Sequence, residues 1–509
     1  MKHFAVVFLC SLLAVTAAAQ TNPSLVATNV VPNGRKMSLQ DCIQQALSHN
    51  LDVQIHRYNP AIWLYTVRGA YGSAYDPVFS ASGTHTFNSQ PSGILEGIAT
   101  PTETTKENDF KSDLSGELPW SGLNYDFSAE IDKEHFLEFS TNTTESAGSL
   151  LLTLTQPLLK GAWIDQPRMT ILADKNRLKY YEQDLRYQVI TSVTSVENAY
   201  YELIYALENL KVQQEALDLS QTQLDQDQQR LTIGTLAQLS VEQDKSQVAQ
   251  NQANVITAQS TLETDQNTLK NLITDNYSAW HDSDVQPTET LTAPLVLFDL
   301  QDSWGRGLTE RPDLIQGRLD VENAGITLKY DRNQLFPELD VIGSYGWNAS
   351  GPRPDGAYND VWTQLKQGSA ANYTFGGKLS VPLANQSARN IFKSDKVTWQ
   401  QKVLTLKQLE QTIMVGIDNA VKTAQSDYES VDATRQARIY AEAALDAEQK
   451  TYSVGKATTF EVLTYQNNLT AARGQEIRAL ANYEEALANL YSQEGSTLDR
   501  LGINIESTP

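Results

Sequence analysis

Apolar residues recur at every seventh position along two long stretches of the chain, with mostly polar residues between them. The first series is Val189, Val196, Leu203, Leu210, Leu217, Leu224 and Leu231, and the second is Val241, Val248, Val255, Leu262 and Leu269. A sustained seven-residue period is typical of helices that supercoil left-handedly around a partner. Because the chain turns back near Gly234, the series predict a coiled-coil hairpin. Its outgoing arm, roughly 70 residues from about Trp163 to Leu231, would reach about 100 Å.

The order of elements around this hairpin occurs twice. Four residues near the start have identical residues 261 positions later. Leu39, Asp41, Leu47 and Asp52 correspond to Leu300, Asp302, Leu308 and Asp313. The turn at Gly234 is matched by a second turn at Gly455. An internal duplication is the simplest interpretation. With a signal peptide over 1–19, the chain is then divided into a first repeat over 20–275, a linker over 276–298, a second repeat over 299–494 and a tail over 495–509.

Four shorter stretches alternate weakly between apolar and polar residues, as strands of outer-membrane proteins do. They are residues 77–87, 149–159, 338–348 and 372–383. Aromatic residues lie at or near their ends, where amphipathic rings favour a lipid headgroup boundary: Trp163, Trp347, Trp362 and Tyr373. Four strands cannot close a barrel, so two chains would supply eight strands and three chains twelve. An open conduit favours three chains.

A further segment, residues 113–136, lengthens the first repeat and contains the turn residues Pro119 and Gly122. It is compatible with an added hairpin. The sequence leaves open whether such a hairpin enters the barrel or caps it from outside.

The first residues combine a basic start, an apolar run and an Ala-Ala-Ala ending, which predicts a secretory signal cleaved after about Ala19. Cys42 would then be the only cysteine left, which excludes an intrachain disulfide. No later segment approaches eighteen consecutive apolar residues. The formal net charge of -22 argues against a nucleic-acid partner and is easier to reconcile with cationic ones.

No pattern typical of an enzyme or a cofactor site is present. The histidines after the signal show no metal-like spacing, and the stretch 305–310 lacks the third glycine of a dinucleotide-binding loop. We therefore expect neither catalysis nor a cofactor nor a bound metal.

The two turns and one strand end carry a resemblance. LTIGTLAQLSVEQ (231–243), YSVGKATTFEVLT (452–464) and LTLTQPLLKGAW (152–163) resemble the TolC-like family of bacterial outer-membrane efflux channels. The resemblance implies a mainly α fold with a membrane β-barrel: a homotrimer whose twelve-stranded barrel, embedded in outer-membrane lipid, continues into an α-helical periplasmic tunnel. It also implies work with an inner-membrane pump and a periplasmic adaptor (membrane fusion protein), in tripartite efflux or type I secretion.

The turns are the first candidate site. Gly234 and Gly455 most simply supply a positive φ at helix ends. Because the resemblance places both turns at the tunnel tips, an adaptor-docking role is the second interpretation. It would involve Gly234, Thr235 and Leu236 in the first repeat, and Gly455, Lys456 and Ala457 in the second.

The resemblance also implies a periplasmic constriction. Family members tend to carry an acidic residue six positions after the tip glycine, and the matching positions here are Glu461 and Ser240. Tyr452 matches a tyrosine three positions before the glycine. We expect Glu461 to form a three-fold carboxylate ring, with Glu242 and Asp244 adding negative charge on the neighbouring hairpin. The alternative for Glu461 is a solvated carboxylate at a helix start.

Ala457 stands where some members carry a basic residue, so their salt-bridge lock is not expected in the same form. Two other classes of protein remain as alternatives. An exported coiled-coil adaptor would need a further domain within a hairpin, for which Gly234 leaves no room. A structural stalk predicts no aromatic-flanked strand pairs.

Overall fold

The structure is a computed structural model that describes residues 34–91, 94–95, 98–99, 102–138, 141–351 and 358–504. The predicted signal peptide lies outside these residues. Helices dominate, and the described ones are α1 (Leu39–His49), α2 (Leu51–Tyr75), α3 (Gln166–Thr232), α4 (Gln238–Ile273), α5 (Tyr277–Trp280), α6 (Leu300–Glu310), α7 (Pro312–Gln334), α8 (Tyr358–Gln367), α9 (Gln386–Ser453), α10 (Thr459–Glu494) and α11 (Thr497–Leu501).

The described strands are shorter and fewer. They are β1 (Arg35–Met37), β2 (Val78–Pro91), β3 (Ile94–Leu95), β4 (Ile98–Ala99), β5 (Thr102–Glu117), β6 (Asn124–Glu138), β7 (Thr141–Pro157), β8 (Val285–Pro287), β9 (Glu338–Ser350) and β10 (Ala371–Ser380).

Two long helical hairpins form the body of the protein. The 67-residue α3 turns back into α4, and the 68-residue α9 turns back into α10. The seven-residue series provides the packing, since Val189, Val196 and Leu203 on α3 and Leu269 on α4 are at most 1% exposed. Both predicted hairpins are therefore present. None of the described helices is both long and apolar enough to cross a membrane.

A compact region surrounds the middle of the first hairpin. The helix α1, which a Ser38–Asp41 capping box starts, buries Cys42, Ile43 and Ala46 against α3 and α4. The parallel pair β1–β8 and the helix α11 cover the same core. A matching cluster joins α6 and α7 to α9 and α10 around Leu314 and Ile417.

One antiparallel sheet lies at the end of the long helices that is opposite the two hairpin turns. Its strand order is β10-β9-β7-β6-β5-β2. The helix α2 leads into β2, β7 leads into α3, α7 leads into β9, and β10 leads into α9. All four connections therefore lie at one end of the sheet, which we call the helical end. The opposite end, which the loops β2–β5, β6–β7 and β9–β10 join, is the distal end.

All four predicted strands are present, and the sheet contains two more. The segment whose place the sequence left open forms β5 and β6, which pair with each other and insert between β2 and β7. The sheet of one chain therefore has six strands, because the segment whose place was open adds two to the four predicted ones. The apolar–polar alternation of β5 and β6 was hard to recognise in the sequence, because one face of each strand is strongly acidic.

The two faces of the sheet differ in chemistry. In the register of β5 and β6, Phe110 lies opposite Ile131 and Leu114 opposite Phe127, so these side chains share one face. Phe127 is 43% exposed there, and Phe375 on β10 is 82% exposed. The other face of β5 and β6 carries acidic side chains: Glu107, Asp109, Asp113, Glu117, Asp126, Glu130, Asp132 and Glu134.

The helix α8 corrects one detail of the sequence interpretation. Trp362 was expected near a strand end, but it lies within this helix. Val361 and Leu365 of α8 are buried against Ile131, Leu150 and Trp347. The helix therefore packs on the apolar face of the sheet, at its distal end.

Candidate functional site at the hairpin tips

Both hairpins end in the same turn. Gly234 has a φ of +78° and Gly455 a φ of +75°, a conformation that favours glycine. In the first turn the Thr235 backbone N–H donates to the Arg230 carbonyl at 2.9 Å, and in the second the Lys456 N–H donates to the Thr451 carbonyl at 3.1 Å. A Cβ at either glycine would meet no atom within 4 Å. The glycines are therefore required by backbone geometry and not by lack of space.

The tips expose apolar side chains at matched positions. Ile233 and Val454 precede the glycines and are 74% and 68% exposed, while Leu239 and Phe460 follow them by five residues and are 70% and 64% exposed. The sequence interpretation named Thr235, Leu236, Lys456 and Ala457 but missed these four. The signal was available, since the same residue class recurs at the same distance from each glycine.

A buried polar network joins the two hairpins just above the turns. The Tyr452 hydroxyl on α9 lies 2.7 and 2.8 Å from the two carboxylate oxygens of Asp227 on α3. Gln223 and Thr459 also donate to this carboxylate, at 3.0 and 3.3 Å. Asp227 is fully buried. Hydrogen bonds to a buried carboxylate are among the stronger ones, so this network ties α3 to α9 and α10.

A second aspartate approaches the first. Asp244 on α4 is fully buried, and neither of its carboxylate oxygens has a hydrogen-bond donor among the described residues. Burial, followed by the negative charge of neighbouring Asp227, raises the pKa of Asp244 to about 7. Protonation of Asp244 removes the repulsion between two buried carboxylates, which is why a neighbouring like charge raises a carboxyl pKa.

Arg230 adds a cation beside Asp227. Its guanidinium lies 3.7 Å from Asp227 and stacks over the Tyr452 ring at 4.7 Å. The guanidinium therefore partly offsets the charge of Asp227. We call the cluster Asp227, Asp244, Arg230, Tyr452 and Thr459 the tip network.

The predicted constriction residues divide into two groups. The structure brings Tyr452 and Asp244 together in the tip network. Glu461 instead forms a capping box with Thr458, whose backbone N–H donates to the Glu461 carboxylate at 2.8 Å. This backbone hydrogen bond, and then the Thr458 hydroxyl, lower the pKa of the exposed Glu461. Ser240 stands half-buried at the start of α4.

Glu242 is also separate from the network. Its carboxylate accepts from Lys245 at 2.9 Å on the exposed face of α4. Within a single chain, Glu461 and Glu242 are therefore surface carboxylates. A ring of Glu461 side chains depends on neighbouring subunits and stays a prediction.

Asp227 was missed because its surroundings are strongly polar. The stretch QLDQDQQR (223–230) is typical of a solvated face, and it is also compatible with a wet lumen or with packing between neighbouring helical arms. The available signal was position, since Asp227 follows Leu224 by three residues and precedes Leu231 by four. That spacing places it on the buried side of α3.

Further polar contacts join the hairpins along their length. Gln247 on α4 and Asn467 on α10 exchange two amide hydrogen bonds, at 2.9 and 3.0 Å. Farther from the tips, Arg473 contacts Glu215 at 3.0 Å and Arg478 contacts Glu202 at 2.7 Å. Among these polar contacts, the tip network lies nearest to the turns.

Comparison with known proteins adds the family. The outer membrane efflux protein family matches residues 122–274 and 305–496. The outer membrane protein TolC of Escherichia coli is 24% identical over 397 residues, covering 77% of this chain and 76% of TolC.

Solved structures share the fold. The Campylobacter jejuni CmeC outer membrane channel aligns with a TM-score of 0.65 and 14% identity, covering 96% of this chain and 95% of CmeC. The open state of the Neisseria gonorrhoeae MtrE outer membrane channel aligns with a TM-score of 0.63 and 15% identity, covering 90% of this chain and 89% of MtrE. The family match covers more than half of the sequence, and the chain belongs to the outer membrane efflux protein family.

Proposed function

We propose that this family member is one subunit of a homotrimeric channel that carries substrates from a periplasmic pump and adaptor assembly across the bacterial outer membrane. One observation supports the proposal most directly. The chain places an amphipathic antiparallel sheet at one end of two long hairpins and closes both hairpins together at the other end. A wall segment and a tunnel segment in one chain are what a conduit requires.

The sheet supports the membrane end of the channel. Its apolar face exposes Phe79, Phe127 and Phe375, and its acidic face would line a wet lumen. A single six-stranded sheet leaves two edges, β2 and β10, and closure through three copies removes them. With β5 and β6 in the wall, the barrel would hold eighteen strands, and a larger strand number gives a wider lumen.

The tips support the periplasmic end. The exposed side chains of Ile233, Leu239, Val454 and Phe460 form an apolar surface that suits the helical hairpins of an adaptor. The tip network holds the two hairpins of a subunit together and would resist their separation. We propose that docking and opening are coupled there, with the predicted tip residues at the turns.

The alternative of an adaptor without a pore fits the chain less well. Only residues 233–237 separate α3 from α4, and only 454–458 separate α9 from α10. Neither hairpin therefore carries an inserted domain at its tip. The chain itself supplies the membrane-type sheet that an adaptor lacks.

Two measurements on protein extracted from the outer membrane test this function. Native mass spectrometry should give the mass of three mature chains. Electron cryomicroscopy should show three sheets closed into one barrel above a helical tunnel, with eighteen strands. A monomer or dimer that stays intact in detergent would overturn the trimer. A twelve-stranded wall with β5 and β6 outside it would overturn only the wider lumen.

A further inference from the structure

The apolar face of the sheet also carries charge, and all of it on the described strand residues is basic. The register places Lys106 on β5 opposite His135 on β6, and Lys133 on β6 opposite Asn108 on β5. These positions alternate with the acidic ones, so both lysines lie on the face that bears Phe110 and Ile131. Strand lysines on the other face are in ion pairs, since Lys111 contacts Asp109 and Glu130, and Lys378 contacts Glu338.

The two basic strand residues lie toward the distal end of the sheet, among the last apolar residues of this face. Leu114 on β5 lies closer to the helical end, and eight residues separate it from Lys106, a rise of about 26 Å. Strands of outer-membrane barrels tilt by about 35–45°, so this rise corresponds to a height of about 20 Å, within an apolar band of about 25 Å. The lysines therefore lie near the distal edge of such a band.

Aromatic rings surround these lysines. The Lys106 ammonium lies 5.9 Å from the Phe87 ring, and the Lys133 ammonium lies 5.2 Å from the Tyr358 ring of α8. His85, which contacts Asn108 at 2.8 Å, shares the same face. The distal end of the apolar face is thus a mixed basic and aromatic surface.

The helix α8 extends this surface. Its buried side, Val361 and Leu365, packs on the sheet, and Gln364 anchors it by a 2.7 Å hydrogen bond to the Ser350 carbonyl. Its other side presents Trp362, which is 47% exposed, with the Lys366 ammonium 5.1 Å from its ring. A helix with a Trp–Lys pair outward and an apolar side inward is typical of a membrane interface.

We propose that Lys106, Lys133 and Lys366, with Trp362 and Tyr358, form a binding surface for the phosphate headgroups of outer-leaflet glycolipids. The occupant follows from charge and position. The surface is basic and adjoins an apolar band that faces lipid, and clusters of lysines beside a membrane attract anionic lipid headgroups. In the outer leaflet of a bacterial outer membrane, those headgroups are the phosphates of glycolipids. The helix α8 is then an external interfacial helix and not a plug, because it packs on the apolar face.

The test replaces the three lysines by glutamine in the full-length protein: Lys106→Gln, Lys133→Gln and Lys366→Gln. A matched control replaces two exposed lysines of the long helices, Lys211→Gln and Lys407→Gln. Native mass spectrometry of the detergent-extracted oligomer measures retained glycolipid, and lipid A in mixed micelles is the added probe. Arginine at the three positions keeps the charge.

We expect wild type, the control and the arginine variant to retain phosphorylated glycolipid, and the triple glutamine variant to lose at least about fivefold of it. This is the scale of one to two lost charge contacts at about 1 kcal/mol each. Equal retention by wild type and the triple glutamine variant would overturn the proposal. Displacement of lipid A by millimolar inorganic phosphate would show that the ligand is free phosphate, which would overturn the assignment to a lipid.

The glycolipid surface rests on the proposed function, because it requires the sheet to lie in the membrane. Measuring channel conductance distinguishes a failure of this surface from a failure of the proposed channel. The triple variant should conduct as wild type does, because the lysines lie on the face opposite the lumen. Loss of glycolipid with normal conductance supports the surface. A wild-type protein that binds glycolipid but does not conduct would contradict the proposed channel function and would still support this lipid-binding surface.

Discussion

The two hairpin tips share a backbone and differ in chemistry. Each has a glycine at positive φ, a backbone hydrogen bond that spans five residues, and an exposed apolar pair at matched positions. The first tip contributes the acids Asp227 and Asp244 to the network, and the second contributes the hydroxyls of Tyr452 and Thr459. The repeated turn gives both tips the same backbone conformation. The side chains that differ are complementary, because the first tip supplies hydrogen-bond acceptors and the second supplies donors.

The caps of the returning helices differ as well. Thr458 and Glu461 form a capping box at the start of α10, whereas Ala237 at the start of α4 makes no side-chain cap. The second tip is therefore the better anchored of the two. We expect the first tip to move more readily when the network opens.

The largest expected effect is loss of docking. Val454→Asp with Phe460→Asp places two charges in the exposed apolar surface of the second tip, and Ile233→Asp with Leu239→Asp does the same in the first. Each pair should reduce adaptor crosslinking in cells by about tenfold or more, since a desolvated charge costs at least ~1.4 kcal/mol at an interface.

The matched control for docking is Thr232→Asp with Ser453→Asp, which adds the same charges to exposed polar positions two residues before each glycine. The control should crosslink as wild type does. If only the second-tip pair lowers crosslinking, docking is a property of one tip, and the comparison between tips becomes sharper.

The next effect separates the two aspartates. Asp227→Ala leaves the Tyr452 hydroxyl, Gln223 and Thr459 without their common acceptor, and should lower the free energy of unfolding of the tip region by about 3 kcal/mol. Asp244→Asn keeps the shape and removes a carboxylate without donors, so it should be neutral or stabilising at pH 8. Proteolysis at the tips measures both, and equal losses would contradict distinct roles.

The stability of the tips should depend on pH through the protonation of Asp244. Its pKa in the folded protein, about 7, lies above the ordinary aspartate value of 3.8, so its contribution to tip stability is fully present below about pH 4 and is lost as the pH rises through 7. Between these limits the equilibrium for tip opening should rise by up to about tenfold per pH unit.

Spin labels at Thr232→Cys and Ser453→Cys report this opening as a distance. Asp244→Asn should remove most of the pH dependence. The control variant is needed because burial also raises the pKa of Asp331 and Glu485 to about 7 elsewhere in the helical region. An unchanged pH profile in Asp244→Asn would assign the dependence to one of these groups.

The smallest effect concerns the cap. Ala237→Thr with Ser240→Glu transfers the capping box of the second tip to the first, and Thr458→Ala removes the original. Each change should alter local stability by about 1 kcal/mol, in opposite directions. Hydrogen exchange at the first turns of α4 and α10 measures both, and no change in either would show that packing alone fixes these helix starts.

The hairpins were predictable because their periodicity is continuous over several helical turns, as Val189, Val196 and Leu203 show. The strands β5 and β6 were not, because Asp109 and Asp132 lie on one face and Phe110 and Ile131 on the other, and acidic residues weaken a strand signal. Likewise Tyr452 and Asp244 could be named, while their convergence on Asp227 depends on a contact between segments far apart in sequence.

Closure of the channel at the hairpin tips is tested most directly by single-channel recording of the purified trimer in planar bilayers, with wild type compared to the double variant Asp227→Ala and Tyr452→Phe. We expect discrete channels from both proteins, with a several-fold higher conductance in the variant because its tips are no longer held together. Intact trimers that form no channels, or identical conductances at pH 6 for both proteins, would contradict a conduit closed at its hairpin tips.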